Sequence, residues 1–252
     1  MVPPDRFGQR FQEARRLGRV VAVLRKTRLI DLWFARTAIA AVIVLQIGMI
    51  NNFSFGGRWL APSLEVVLLI PLTILAIRNQ RLAHHAATDA EWLEFERRRH
   101  GILVLGFTLV TIVSLANATA LLGLVHALLS GRTQNGTALL VDAMNIWATN
   151  VIVFALWYWE IDRGGPSKHF ATEPPPSDFI FPQSTLPPEH PAAPIPPGFI
   201  DYLFLSFTTS TAFSPTDTLP LTWRMKLLMM LEASVSLLTV ALVAARAVNI
   251  LA

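Results

Sequence analysis

Apolar residues in this chain gather into unbroken runs, not into the half-apolar stripes of soluble helices. Four runs reach the roughly 20 residues that a membrane-crossing helix needs: Leu32–Asn52, Leu60–Ile77, Ile102–Leu129 and Ala138–Ile161. A fifth extends from Leu227 to Ala252. Trp33, Phe34, Trp59, Trp157, Tyr158 and Trp159 bracket the runs, as amphipathic rings do at a membrane interface. Pro71 falls inside the second run, where a kink is tolerated within a membrane helix. Ahead of the first run, Phe7, Phe11, Ala14, Leu17, Val21 and Leu24 recur at steps of three and four among Arg6, Arg10, Arg15, Arg16, Arg19, Arg25, Lys26 and Arg28. That pattern predicts a basic amphipathic helix over residues 1–31, lying among anionic lipid headgroups.

Composition agrees with the pattern. The 252 residues are 53% hydrophobic and 15% charged, against roughly 25% charged in a soluble domain. The expected fold is therefore an all-α integral membrane protein of the cell (inner or plasma) membrane, crossing it several times. There is no cysteine, which removes disulfides and thiolate chemistry together. A net charge of +4 is too small to indicate a nucleic-acid partner.

The positive charge is unevenly placed, and that predicts orientation. With the N-terminus in the cytoplasm, eight Lys/Arg of the leader and five of the Arg78–Arg99 segment fall inside, while Arg58 and Arg132 fall outside. Residues 32–161 then form a four-helix region with a cytoplasmic connector over 78–101. Residues 162–198 hold eleven of the seventeen prolines and predict a loop largely without regular structure. Its Asp178-Phe179-Ile180-Phe181-Pro182 piece is too apolar for a free linker and is expected to pack on the protein surface.

Residues 199–252 carry the most specific signal. Phe199–Phe213 is apolar but short for a crossing, and it leads through a hydroxyl-rich turn into the last long run. A short helix, a turn and a full helix predict a re-entrant element before the last of about five transmembrane helices. Here the chain resembles the pore of tetrameric cation channels, the potassium type above all. Tyr202-Leu203-Phe204-Leu205-Ser206-Phe207-Thr208-Thr209 resembles the pore helix, Thr211 the threonine at the filter base, and Asp217-Thr218-Leu219-Pro220 the Asp-x-x-Pro stretch after the filter. The resemblance implies a homotetramer with monovalent cations as its cargo. More widely, the run pattern resembles a group of uncharacterised bacterial membrane proteins, which supplies a fold expectation without an activity.

The filter itself departs from that family. Ala212-Phe213-Ser214-Pro215-Thr216 stands where the family has Thr-Val-Gly-Tyr-Gly, so both glycines are missing. Glycine permits the backbone angles that aim successive carbonyls at a dehydrated ion, and Pro215 fixes its own φ. Thr208, Thr209, Ser210, Thr211, Ser214, Thr216 and Thr218, with Asp217, suggest instead hydroxyl rings and one acidic ring around a hydrated, weakly selective path. The same hydroxyls would serve a non-conducting loop by capping its short helix and satisfying its turn. Four runs from a cytoplasmic N-terminus also bring the loop in from the cytoplasmic side, an inverted pore of the kind glutamate-receptor channels use.

Polar groups inside the runs are candidates for an ion or proton path, with interhelical hydrogen bonding as the alternative. Asp142, Asn145 and Glu232 lead this set, joined by Gln46, Glu65, Asn117, Thr149, Asn150 and Arg246. His84 and His85 stand beside Asp89, Glu91, Glu94 and Glu96, but without metal-ligand spacing, and read as part of a solvated connector. No nucleotide fingerprint, nucleophile elbow or paired-carboxylate constellation is present, so neither an enzyme nor a bound cofactor is expected. The organisation predicts opposite membrane sides for the Pro-rich loop and the C-terminus. Single cysteines placed at Ser167 and Ala252 should therefore label from opposite faces of sealed vesicles; labelling from one face removes the five-span topology.

Overall fold

A computed structural model describes residues 31, 33–50, 59–85, 89–130, 136–163, 177–187, 190, 196–211 and 217–251. The basic leader over 1–30 and the filter-like stretch 212–216 lie outside the described residues, as do the side chains of 79–100, His84 and His85 among them, and that of Arg246. Six α-helices occur among the described residues. They are α1 (Trp33–Ile47), α2 (Leu60–His85), α3 (Asp89–Leu129), α4 (Gly136–Arg163), α5 (Phe199–Thr211) and α6 (Trp223–Leu251).

Three of them contain segments long and apolar enough to cross a membrane, namely Gly101–Leu129, Gly136–Asp162 and Trp223–Ala244, and these mark the chain as a membrane protein. The apolar parts of α1 and α2, Trp33–Ile47 and Leu60–Leu75, are shorter, at roughly 22–24 Å. α3 has 41 residues, about 60 Å of helix and twice the thickness of a bilayer core. The connector expected between α2 and α3 is thus largely helical: α2 continues to His85 and α3 begins at Asp89. Polarity at Arg78–His100 ends the apolar run without ending the helix, because Arg, Glu, Gln and Ala are good helix formers.

α4 is the central helix. Of its apolar window 61% is buried, against 17% for α6 and 33% for α3. α3 lies against one side, where Trp157 Nε1 donates to Ser114 Oγ at 2.9 Å. α5 runs antiparallel to α4 on another side: Phe199 meets Trp159 edge-on at 5.7 Å, and Phe207 meets Trp147 at 5.9 Å. α6 is also antiparallel to α4, since Asn150 reaches Ser236 and Tyr158 reaches Glu232. α5 and α6 therefore start at the same end of α4 and run side by side.

Two short strands close that end. β1 (Phe179–Ile180) pairs antiparallel with β2 (Leu219–Pro220), Phe179 opposite Pro220 and Ile180 opposite Leu219. The Leu221 N–H extends the pairing to the Asp178 carbonyl at 2.8 Å. A 3-10 turn at Pro182–Thr185 follows β1. The Asp178–Pro182 piece goes deeper than a surface contact. Phe179 and Phe181 are each 2% exposed, and their rings join Tyr158 and Tyr202 at centroid distances of 5.0–6.4 Å. An alternation of apolar rings with a polar lead-in lets a two-residue strand bury both phenylalanines between α4 and α5. Phe179→Ala should then cost about 3–5 kcal/mol. Leu219→Ala, on the exposed face of the same pairing, should change stability by about 0.5 kcal/mol or less. Thermal unfolding in detergent distinguishes the two, and equal losses would place Phe179 outside the core.

Candidate functional site

Each end of α4 meets buried polar groups from its neighbours, and α5 is held by two carboxylates. The first is Glu232 on α6, fully buried. Tyr158 Oη donates to its Oε2, and Ser210 Oγ donates to its Oε1 at 2.8 Å. Ser206 Oγ touches Glu232 Oε1 and, at 2.7 Å, the Val151 carbonyl of α4. Helical spacing produces this convergence: Ser206 and Ser210 are one turn apart on α5, so both present hydroxyls to the same point. One turn further along α6, Asn150 Nδ2 donates to Ser236 Oγ at 3.1 Å.

The second carboxylate is Asp162, near the C-terminal end of α4 and 1% exposed. It accepts from Tyr202 Oη of α5, from the Asp178 N–H, and from Ser177 Oγ at 3.0 Å. One residue of α4 thereby holds both the entry of α5 and the approach to β1. The neighbouring Arg224–Asp178 ion pair, at 4.0 Å with the arginine side chain 64% exposed, adds little. The start of α5 has its own anchors. Gly198 N–H donates to Asp201 Oδ2 at 2.7 Å, a side chain reaching back across the first turn. Asp31 accepts from the Phe199 N–H. Burial raises the Asp31 carboxyl above its ordinary value, the Phe199 bond acts downward, and neighbouring Asp201 raises it further.

The predicted intramembrane polar residues divide between two places. Asp142, fully buried, accepts from the Ile50 N–H at 2.7 Å and so satisfies backbone just past the end of α1. Asn145 faces the same region beside Gly48. Tyr158 lies about 24 Å further along α4 and roughly 160° around it, so the Asp142 and Glu232 groups are not contiguous. Between α1 and α2, Gln46 Nε2 donates to Glu65 Oε1 at 2.8 Å. Glu160 packs against α3 at Gly106, where an added Cβ would come within 2.8 Å of its Oε1; glycine is what permits that approach. Arg36 and Glu160 both line a narrow, largely apolar cavity among α1–α4.

In the pore-like segment the threonines of α5 turn back on their own helix, unlike Ser206 and Ser210. Thr208 Oγ1 bonds to the Phe204 and Leu205 carbonyls at 2.8 and 2.9 Å, Thr209 to Leu205 at 2.8 Å, and Thr211 to Phe207 at 3.0 Å. Asp217 is exposed, and Ala212, Phe213, Ser214, Pro215 and Thr216 lie outside the described residues. Sequence reasoning singled out Glu232 as a polar-path candidate and Ser210 as a pore-loop hydroxyl, but not that the two meet, nor the parts of Tyr158 and Ser206, nor the Asp162–Tyr202 pair. The signal available was the i, i+4 spacing of two serines on an otherwise apolar helix. Comparison with protein-family models, curated proteins and solved structures returns no match. Tyr202→Phe, which leaves Asp162 short of a donor, should cost about 1–3 kcal/mol. Thr208→Val, removing a half-exposed hydroxyl bonded within its own helix, should stay within about 0.5 kcal/mol. Thermal unfolding in detergent compares them, and a neutral Tyr202→Phe would show that Asp162 does not need that donor.

Proposed function

We propose that the chain crosses the membrane five times, with α5 as a re-entrant helix, and that residues 199–251 form one quarter of a tetrameric, weakly selective cation pore. The observation that carries the reading is the course of the chain around α5. α5 descends along α4 from Trp159 to Trp147, β2 stands back beside β1 at the starting end, and α6 descends again. A segment that enters and returns on one side is a re-entrant element, which membranes tolerate only where protein or water surrounds its non-helical backbone.

Two further features fit. Leu227, Met230, Leu231, Leu237 and Leu238 of α6 are all about half exposed or more, so α6 retains a face for lipid or for other subunits. The Asp89–His100 start of α3, with its three arginines, extends past the same end of α4 as β1 and β2. Charge bias then sets that end in the cytoplasm, with a cytoplasmic N-terminus, and the pore mouth faces inward.

A second reading rests on the threonines. Because Thr208, Thr209 and Thr211 donate to carbonyls of their own helix, the loop would serve equally as a non-conducting module that positions α6 or binds a partner. Conduction and subunit count separate the two. The pore reading expects a tetramer by mass in detergent and cation flux in reconstituted vesicles, with weak discrimination between potassium and sodium. Asp217→Asn removes four charges from a tetramer and should lower flux most at low salt, where screening is least. A monomer or dimer, or correctly assembled protein with flux no greater than empty vesicles across pH and voltage, leaves the second reading.

A further inference from the structure

The Glu232 node contains more hydrogen-bond contacts than its hydroxyls have protons. Four oxygen–oxygen contacts meet there: Tyr158 Oη with Oε2, Ser210 Oγ with Oε1, Ser206 Oγ with Oε1, and Ser206 Oγ with the Val151 carbonyl. Each contact at hydrogen-bond length is satisfied best by a proton of its own; a proton shared between two acceptors, as at Thr208, leaves both bonds weaker. Tyr158, Ser206 and Ser210 supply one proton each. Ser206 is where the shortage falls, because a single hydroxyl faces two acceptors. A metal ion would not take the fourth place, because ligand oxygens around a bound cation stand farther apart than hydrogen-bonded oxygens.

We propose that Glu232 is a proton-binding site, occupied in this arrangement, and that release of its proton unlatches α5 from α4 and α6. The bound carboxyl donates from Oε1 to Ser206 Oγ, Ser206 donates onward to the Val151 carbonyl, and Tyr158 and Ser210 donate to the carboxyl. Every contact is then satisfied, and one proton links three helices. When the carboxyl loses that proton to water, Ser206 has to turn its own proton to the carboxylate. The Val151 contact becomes repulsive and a full charge stands buried. Among the described residues no cation answers it. Tyr158 is the titratable group in contact, and α5 contributes hydroxyls alone. Asp162, one turn beyond Tyr158 on α4, is engaged with Tyr202. Arg224 and Lys226 of α6 are exposed and roughly 9–12 Å back along the helix. A buried charge so placed is expensive, and separating α5 from the node admits water to it.

This inference takes α5 as the re-entrant helix of the reading above and makes the seating of that helix depend on protonation, but its test requires no conduction. Infrared spectra of the reconstituted full chain, taken from roughly pH 5 to pH 10, report a protonated carboxyl through its C=O stretch. Hydrogen exchange over residues 199–211, corrected for intrinsic rates, reports the seating of α5. A protonated carboxyl band is expected at low pH, lost as pH rises and absent from Glu232→Gln. Wild-type protection should fall by about tenfold or more through the same pH interval, the scale of leaving a buried polar group unsatisfied. Glu232→Gln keeps a neutral group with a donor toward Ser206, so its protection should stay high at every pH.

If Glu232→Gln does not assemble, Glu65→Gln, Glu160→Gln, Asp142→Asn, Asp162→Asn and Asp178→Asn assign the band by elimination, these being the other buried carboxyls among the described residues. A carboxyl at Glu232 that is ionised across the whole range overturns the proton site. Protection of 199–211 that falls equally in wild type and Glu232→Gln overturns the latch. Absence of flux overturns only the pore reading.

Discussion

A carboxyl group placed among apolar helices must be surrounded by donors or neutralised, since isolated burial of its charge costs far more than a domain's stability allows. The rest of this architecture depends on how Glu232 meets that requirement. Tyr158 comes from the central helix, Ser206 and Ser210 from the short one, and the carboxyl from α6. No pair of these helices completes the node alone. α5 is short, and its outer face is left open, with Phe204 61% exposed and Ile200 and Phe207 also exposed. Phe199, Tyr202 and Leu205 bury one face of it, and polar contacts sharpen its registration on α4 and α6 beyond what that face supplies.

Asp162 repeats the same logic nearer the interface, with Tyr202 one turn before Ser206 on the same face of α5. The two nodes bracket the aromatic cluster of Phe179, Phe181 and Tyr202, so apolar and polar fastening alternate along the α4–α5 contact. Tyr158 belongs to both kinds: its ring lies edge-on to Phe179 and its hydroxyl reaches Glu232. That dual use explains why the phenol stands in a run otherwise read as an interfacial belt.

How much of this was legible in the sequence follows from the range of each interaction. The helical class, the long apolar segments and a short helix at Phe199 are local properties, readable from run lengths and turn chemistry. Asp142 and Glu232 were visible as buried polar groups because a charge in an apolar run is conspicuous. Their grouping was not: they lie on opposite faces of α4 or its neighbours, and only packing decides which face meets which helix. Ser206 was read as part of a pore helix and Tyr158 as an interface anchor, since a single chain does not reveal that residues 22 to 74 positions from Glu232 meet on its carboxyl. The depth of Phe179 and Phe181 was missed for a similar reason. In a proline-rich stretch nothing local separates an apolar pair resting on the surface from one inserted between helices.

The missing filter glycines acquire a structural counterpart in this arrangement. In a glycine-based filter, backbone geometry and neighbouring packing together position the carbonyls, so the loop itself carries much of the specificity. Here the described chain on either side of residues 212–216 is tied to other elements: Ser210 to Glu232 before that stretch, and β2 to β1 after it. Both flanks are therefore held by groups outside the stretch itself. Control over the proposed pore then passes from the loop's own backbone to its anchors. Of the anchors, the β1–β2 pairing has no titratable component in its backbone bonds, whereas the α5 side ends on a carboxyl. Any adjustment of the loop by protonation has to enter through α5, and the shared oxygen of Ser206 is where α4, α5 and α6 would register it together.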